Sequence, residues 1–434
     1  MTAKKLPVVK AAQKEAAARA AEVSGQATLD LADIAGAIRE GLLALSCTAG
    51  LLVMHQMMEN ELTAKVGPKG RHDAGRSATR HGRAQGSVVL GGRRVPLERP
   101  RARTHDGAEV SLDTWSTFAS DDLLSQLVVE RMLAGVATRR HREVSEPVGA
   151  ELDAKARSTS RSAVSRRFKA ATETALAELL ARDLSALDVA ALMIDGIVFA
   201  DCCCVVALAI TADGTKVPVG LWDGDTENTT VVKDLLADLV GRGLRYDQGI
   251  LVVIDGSKAL AAGVRRVFGD KALVQRCTLH KRRNVGDYLP DELASTIDRR
   301  LAKAFNDTDA ERGLRVAQGI ARQLEDQHPS AAASLREGLT EMFTVRRLGV
   351  GDRLARSLSC TNAIESMISV VRGLTDRVKR WNDTKMVRRW VGVGMLEAER
   401  SFRRIKGCKD MPALVAAIRK AGGEVTPAEY DQAA

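Results

Sequence analysis

The chain has 434 residues, a formal net charge of +10 and only 3% aromatic residues. A basic balance favours polyanionic partners, although many soluble proteins are mildly basic, and the scarcity of aromatic residues argues against a platform that stacks single-stranded bases. The seven cysteines are an odd number without framework spacing, so we expect a reduced, cytoplasmic protein rather than a disulfide-stabilised secreted one.

We expect residues 1–33 to form a mobile arm. The next region, residues 34–120, is expected to contain a helix and a basic hairpin. The helix, over 34–62, contains an apolar run that is too short to cross a bilayer, so we expect neither a cleavable signal nor a membrane partner. Two β-rich runs joined by a Gly-Gly pair over 86–97 predict the hairpin. Its Arg93 and Arg94 are candidate contacts for a DNA backbone, because Arg binds phosphate in a bidentate manner. A merely solvated basic surface is the alternative.

Residues 121–184 predict a helix-turn-helix domain in a mainly helical region. An apolar-faced helix over Asp122–Ala137 is followed by a short helix near Val148–Leu152, a Ser/Thr-rich turn and a second helix. In that second helix Val164 and Phe168 are expected to face inward. Its outward face is the expected DNA reader, although any capped surface helix shows a similar pattern; the candidate contacts are Arg161, Ser162, Ser165 and Arg166.

Residues 185–287 predict a mixed α/β sheet. A continuous apolar run over Ala190–Ile194 predicts a strand buried on both faces, with Asp195 at its end. An antiparallel hairpin over 202–222, a crossover helix over 228–241 and a second apolar strand that ends in Asp255 follow in order. This order of elements favours a ribonuclease H-like sheet. The successive cysteines 202–204 alternate in direction on a strand, so they are expected to be buried small hydrophobes and not metal ligands.

Asp195, Asp255 and Glu365 are the candidate catalytic and metal-binding residues. Two carboxylates at neighbouring strand ends are costly unless a cation lies between them, and Mg²⁺, with Mn²⁺ as a possible substitute, prefers carboxylate oxygen. Glu365 opens a helix whose buried face is marked by Ile364, Ile368, Val371 and Thr375, and Arg372 lies on the same side as Glu365, where it would meet a phosphate. Each acid also has a structural interpretation: Asp195 as a turn residue, Asp255 as a helix cap and Glu365 as a capping-box residue after Asn362.

The chain resembles the bacterial insertion-sequence transposases of the Mutator superfamily. The resemblance rests on Ile194-Asp195-Gly196, on Glu227 before the crossover helix, on Val253-Ile254-Asp255-Gly256, on Gln275-Arg276-Cys277-Thr278-Leu279-His280 and on Thr361-Asn362-Ala363-Ile364-Glu365. It implies a ribonuclease H-like domain with an Asp, Asp, Glu triad. Cys277 and His280 have ligand-like spacing, but a structural zinc needs four partners; the resemblance implies instead a hydrogen-bonding role near the scissile phosphate.

The same resemblance implies how the rest of the chain is organised. Residues 288–358 are expected to form a helical insertion, residues 359–408 to complete the catalytic domain with basic helices, and residues 409–434 to form a terminal helix and tail. The basic helices would line the DNA path through Arg372, Arg377, Lys379 and Arg380.

We therefore expect a nucleoid-associated DNA transposase that binds terminal inverted repeats, cleaves DNA and transfers strands into target DNA. The resemblance implies a homodimer or larger assembly on paired double-stranded ends. One alternative is a catalytically inactive, repressor-like protein that binds terminal repeats, and another is a structure-selective nuclease without strand transfer.

Overall fold

A computed structural model describes residues 41–71, 75–146, 148, 150–157, 159–199, 202–224 and 226–424 of the chain. The predicted arm over 1–33 and the last part of the tail lie outside the described residues. The chain forms two compact units that divide between Ala171 and Thr172. This division falls inside the predicted 121–184 range.

The first unit consists of helices around one long hairpin. The two strands pair antiparallel throughout, with a register shift between Arg80 and Arg83, and the turn uses Gly91 and Gly92, whose φ angles are 57° and 74°. Two successive positive φ angles are what a tight hairpin turn requires, which explains the Gly-Gly pair. The elements are α1 (Leu42–Val66), β1 (Ala78–Leu90), β2 (Arg93–Thr104), α2 (Asp113–Ala119), α3 (Asp122–Leu133), α4 (Ala150–Lys155) and α5 (Arg161–Leu180), the last of which crosses the division.

The second unit is built on a five-stranded mixed sheet of spatial order β5-β4-β3-β6-β7. Strands β3, β4 and β5 are antiparallel neighbours, whereas β3, β6 and β7 run parallel. The predicted mixed α/β class is therefore confirmed. The strands are β3 (Val189–Phe199), β4 (Cys202–Thr211), β5 (Lys216–Gly224), β6 (Ile250–Ile254) and β7 (Ala272–Arg276).

Helices cover both faces of this sheet. Alternate residues of β3 enter different cores: Met193 packs in one and Ile194 in the other, and both are fully buried. The second of these cores is closed by α6 (Thr229–Gly241) and α7 (Lys258–Phe268). The first is closed mainly by α14 (Asn362–Thr375), α15 (Thr384–Ser401) and α16 (Met411–Glu424). Burial on both faces explains why β3 and β6 are continuous apolar runs.

A helical segment follows β7 and returns to the sheet at α14. Its core contains Leu301, Ile320 and Phe343, all fully buried, and the Phe305 and Phe343 rings lie 5.5 Å apart. The helices are α8 (Thr278–Gly286), α9 (Asp291–Phe305), α10 (Ala310–Leu324), α11 (Pro329–Arg336), α12 (Thr344–Arg347) and α13 (Asp352–Leu358), with 3₁₀ turns at Thr340–Phe343 and, outside this segment, at Thr138–Arg140, Gly269–Lys271 and Cys408–Asp410.

Two details of the sheet differ from the expectation. Asp195 does not end its strand, because β4 continues to pair with β3 beyond it and extends the ladder to Phe199. Strand β7 was not predicted, since its five residues combine apolar and polar side chains without a clear period. The three cysteines of β4 are buried, as predicted. None of the described helices combines the length and the apolar character that crossing a membrane requires.

Candidate active site

Two aspartates lie side by side at one edge of the sheet. The parallel pairing of β3 with β6 ends with Met193 opposite Val253. Asp195 and Asp255 each follow that pair by two residues, and their carboxylates interact electrostatically. The Gly196 N–H donates to Asp195 Oδ1 at 2.8 Å, and the Ser257 N–H donates to Asp255 Oδ1 at 2.8 Å. Both carboxylates are only partly buried, so they are held by local backbone while part of each side chain stays accessible.

Glu365 reaches the same site from the first turn of α14. The Thr361 hydroxyl donates to Glu365 Oε1 at 2.5 Å, and Thr361 itself is fully buried. Since α14 begins at Asn362, the helix cap is Thr361 and not Asn362, so the capping-box interpretation of Glu365 was wrong. The predicted inner face of the helix is buried at Ile364, Ile368, Val371 and Thr375.

Cys277 and His280 complete the arrangement around Thr361. Cys277 is buried directly before α8, and the Thr361 N–H points at its sulfur over 3.4 Å. The Thr361 hydroxyl lies 3.3 Å from Cys277 Sγ and 3.4 Å from His280 Nδ1, and His280 Nε2 lies 3.8 Å from Glu365 Oε1. One threonine therefore contacts the cysteine, the histidine and the glutamate.

The electrostatics of the site follow from its acids. Burial, together with the neighbouring charges of Asp255 and Glu365, raises the pKa of Asp195 to about 7, although the Gly196 N–H and His280 oppose this. The hydrogen bond with Cys277, then the charges of Cys277, Glu365 and Asp255, raise the pKa of His280 to about 9. Burial would raise the pKa of Cys277, but hydrogen bonds with His280 and Thr361 outweigh it and lower that pKa. The site therefore has an excess of acid, and His280 is a cation at neutral pH.

Two overlapping donor sets are available for a metal. Asp195, Asp255 and Glu365 offer carboxylate oxygens, which suit a hard ion such as Mg²⁺ or Mn²⁺. Cys277, His280 and Glu365 bring one possible ligand atom each to within 4.8 Å of one another, and thiolate and imidazole select softer ions. Burial first, and then the charges of Asp255 and Glu365, raise the pKa of Asp195. A divalent cation would stabilise the charged carboxylate against both effects, so the oxygen set fits a hard metal.

The residues before His280 tie the helical segment to this site. Gln275 Nε2 donates to the Met342 carbonyl at 2.9 Å, and the Val345 N–H donates to Gln275 Oε1 at 2.9 Å. Arg276 Nε donates to Glu341 Oε2 at 2.5 Å. Thus Gln275 and Arg276, at the start of the motif, bond the helical segment. His280, at its end, lies near Glu365.

The predicted reader helix has the expected faces. Val164 and Phe168 of α5 are 1% and 5% exposed, whereas Arg161, Ser162, Ser165 and Arg166 are exposed. Helices α4 and α5 are joined by residues 156–160. This arrangement leaves polar side chains available on one helix face within the first unit.

The hairpin arginines are engaged within the protein. Arg93 is only 3% exposed, forms an ion pair with Asp153 and donates to the Glu146 carbonyl at 2.7 Å. Arg94 is partly buried and bonds Asp121 and the Ala119 carbonyl, at 2.9 Å and 2.6 Å. A guanidinium with these partners cannot reach a DNA phosphate without breaking them, so the fold disfavours both arginines as DNA contacts.

The basic segment after Glu365 contains cations that pair with acids of the sheet and cations that are exposed. Arg388 and Arg404 form ion pairs with Asp223 and Asp213 at 3.1 Å and 3.2 Å. The four predicted DNA contacts are exposed and extend from the last turn of α14 into the loop that follows; they are Arg372, Arg377, Lys379 and Arg380.

Two residues outside the predicted set also touch the site. Thr361 contacts Cys277, His280 and Glu365, and only the tertiary structure brings it there. Glu227, which was part of the resemblance but was not assigned a role, interacts electrostatically with Asp255. Apart from the resemblance, the sequence signal for Glu227 is its place next to Asn228, the residue that caps the crossover helix.

Comparison with known proteins supplies the family. The chain is 30% identical over 198 residues to a transposase for insertion sequence element IS6120 of Mycolicibacterium smegmatis, 31% over 169 residues to one for ISRM3 of Rhizobium meliloti, and 30% over 180 residues to one for IST2 of Acidithiobacillus ferrooxidans. These alignments cover 44%, 38% and 41% of this chain and 60%, 41% and 58% of the relatives, less than two thirds in each case. The sequence model described as "Transposase, Mutator family" matches residues 27–404. The chain therefore belongs to the Mutator family of transposases.

Proposed function

We propose that this protein is a DNA transposase that cleaves the ends of an insertion sequence and transfers the freed strands into target DNA. The observation that carries the proposal is the convergence of Asp195, Asp255 and Glu365 at one edge of the sheet, in a member of this family. The sheet order and its parallel and antiparallel pairs support a ribonuclease H-like domain.

In the proposed reaction the three acids bind Mg²⁺, or Mn²⁺ in its place. When bound, two such ions supply an activated oxygen nucleophile and stabilise the leaving oxygen of a phosphodiester. Asp195 must lose its proton to bind a cation. The Gly196 N–H, the Ser257 N–H and the Thr361 hydroxyl then fix the three carboxylates in orientation, as hydrogen-bond partners of metal ligands do. No covalent link between protein and DNA is needed.

His280 is the candidate contact for the reacting phosphate. Its raised pKa of about 9 favours the cationic imidazole at neutral pH, and Nε2 lies 3.8 Å from Glu365 Oε1. A cation at this position would donate to a phosphate oxygen and offset negative charge. Cys277 supports this role because its hydrogen bond keeps His280 protonated.

Two surfaces would bind the DNA. In the first unit, helices α4 and α5 would form a helix-turn-helix that reads the terminal inverted repeats through Arg161, Ser162, Ser165 and Arg166. In the second unit, Arg372, Arg377, Lys379 and Arg380 would follow the backbone of the strand to be cut, because they extend from the helix that carries Glu365. We propose that a homodimer or larger assembly holds two ends together.

The test is cleavage of linear double-stranded DNA that carries the element's flanking repeats, with Mg²⁺ and with EDTA. We expect cutting at the repeat ends only with metal, and a loss of at least about 100-fold for Asp255→Asn, since a metal ligand and its charge are removed. Asp247→Asn is the matched control, because Asp247 is exposed and precedes the same strand at its other end. Tight binding without cutting under both conditions would contradict the proposal and favour a repressor-like protein.

A further inference from the structure

We propose that Glu227 is a fourth carboxylate of the active site and binds the divalent metal together with Asp195 and Asp255, directly or through a metal-bound water. The inference rests on the proposed function, since it concerns the same metal. It adds a residue to that site, located just before α6 and far in sequence from Glu365.

Glu227 packs beside Gly196, the residue that follows Asp195 in β3. A β carbon added at Gly196 would overlap Glu227 Oε2. Gly196 does not have a positive φ angle, so the backbone conformation would accept other residues there. Gly196 is needed instead because it has no side chain, which leaves room for Glu227 beside the strand. Glycine often has this role where another group approaches a strand closely. Gly196 is also the residue whose N–H holds Asp195.

Glu227 also interacts with Asp255. After burial, the negative charge of Asp255 raises the pKa of Glu227, and the Asp255 carboxylate is itself held by the Ser257 N–H at 2.8 Å. Glu227 therefore lies beside the residue that follows Asp195 and close enough to Asp255 to feel its charge.

A role for Glu227 in capping helix α6 does not explain its position. Helix α6 is already capped by Asn228, whose side chain accepts from the N–H groups of Thr230 and Val231. Within the part of the chain that the structure describes, no cation is paired with Glu227, which is partly buried, and burial together with Asp255 raises its pKa. A carboxylate placed next to another in this way is costly without a cation, and a divalent ion would remove that cost.

The experiment measures Mn²⁺ binding to the full chain by electron paramagnetic resonance and by calorimetry. We expect Glu227→Gln, which removes the charge and keeps the shape of the side chain, to weaken Mn²⁺ binding about 10- to 100-fold, as removal of a metal-site partner does. The matched control is Asp234→Asn, which removes one charge from α6 beside Lys233 and should bind Mn²⁺ like the unaltered chain. Gly196→Ala should reproduce the loss, because its β carbon displaces Glu227.

The outcomes separate this inference from the proposed function. If the unaltered chain fails to bind Mn²⁺, the proposed metal chemistry fails and this inference with it. If the unaltered chain binds Mn²⁺ and Glu227→Gln binds it equally well, only the role of Glu227 is overturned. Circular dichroism and thermal unfolding in EDTA are the folding controls: a Glu227→Gln chain that is unfolded without metal would assign Glu227 to the fold and would also overturn the inference.

Discussion

At the scale of single residues, the site depends on Thr361. Its hydroxyl is fully buried and lies within 3.4 Å of Cys277, His280 and Glu365, and it has only one proton to donate. The shortest of these contacts is with Glu365, so we infer that the proton points there. Thr361 is thus a positioning residue: it fixes the carboxylate that would bind metal without facing the metal itself.

Replacement of Thr361 by valine tests this role. The change preserves shape but leaves Glu365 without its hydrogen bond, so we expect cleavage to fall roughly 10- to 100-fold. We also expect a loss of unfolding free energy of about 1 to 3 kcal/mol. Cleavage assays over a range of Mg²⁺ concentrations and thermal unfolding measure the two effects. Thr361→Ser keeps the hydroxyl and should restore most of the activity; if serine is as poor as valine, hydrogen bonding is not what matters.

The protonation of His280 is a second residue-scale property. Its pKa of about 9 lies above the usual 6.5, so the folded state binds this proton more tightly than the unfolded chain. The resulting stability is complete below about pH 6.5 and is lost as pH rises through about 9. Proton NMR titration of the His280 ring should show the raised pKa. Cys277→Ala should lower it toward 6.5, because the hydrogen bond with Cys277 is the largest cause of the shift; an unchanged titration would contradict this account.

At the scale of elements, the site is assembled by strand register and by one motif. The parallel pairing of β3 and β6, with Met193 opposite Val253, brings Asp195 and Asp255 to the same end of the sheet, and a slip of one residue would turn one carboxylate to the other face of the sheet. Strand β7 continues into the motif Gln275 to His280, so the segment that holds the helical region also sets the position of α8. The same short motif therefore contacts the helical segment and positions His280 beside Glu365.

Gln275→Leu tests the contact of this motif with the helical segment. Gln275 is fully buried and bonds the Met342 carbonyl and the Val345 N–H. Leucine would leave two buried backbone groups without partners, at a cost of about 2 kcal/mol or more. Urea unfolding should show this loss, whereas Gln323→Leu, at an exposed position of α10, should change the unfolding free energy by less than about 0.5 kcal/mol. Equal stabilities of the two variants would refute a stabilising role for this contact.

At the scale of the whole molecule, the net charge of +10 does not measure how many cations can reach DNA. Arg93, Arg94, Arg388 and Arg404 neutralise acids of the protein itself. The cations exposed on the surface include Arg161 and Arg166 in the first unit and the group after Glu365 in the second. Phosphate binding by such groups releases counterions, so DNA affinity should fall steeply with salt.

The salt dependence of DNA binding measures this contribution. Replacement of Arg161 and Arg166 together by alanine should reduce the slope of log affinity against log salt by up to roughly 1.8, about 0.9 for each phosphate that the protein no longer neutralises. Fluorescence anisotropy with terminal-repeat DNA between 50 and 200 mM salt, a range of about four-fold, gives the slope. Arg140→Ala is the control, since Arg140 pairs with Glu143 at 2.9 Å; a slope that changes equally in both variants would argue against a specific role for α5.

Local pattern was sufficient for the elements that carry the site. The apolar runs of β3 and β6, the crossover helix, the buried cysteines of β4 and the inner face of α14 each follow from the spacing of neighbouring residues, because periodicity decides which side of an element is buried. The order of these elements suggested Asp195, Asp255 and Glu365 as one set of acids, and the resemblance to a known family implies the same set, which stays a prediction.

Contacts between distant parts of the chain were decided only by the tertiary structure. Thr361 meets Cys277 across 84 residues, and Glu227 lies against Gly196 because the crossover helix returns over the sheet. Arg93 appeared to be a surface cation until the fold placed Asp153 beside it. The spacing of apolar residues determines which face of each helix or strand is buried. The partner of a given polar side chain depends instead on which elements pack together.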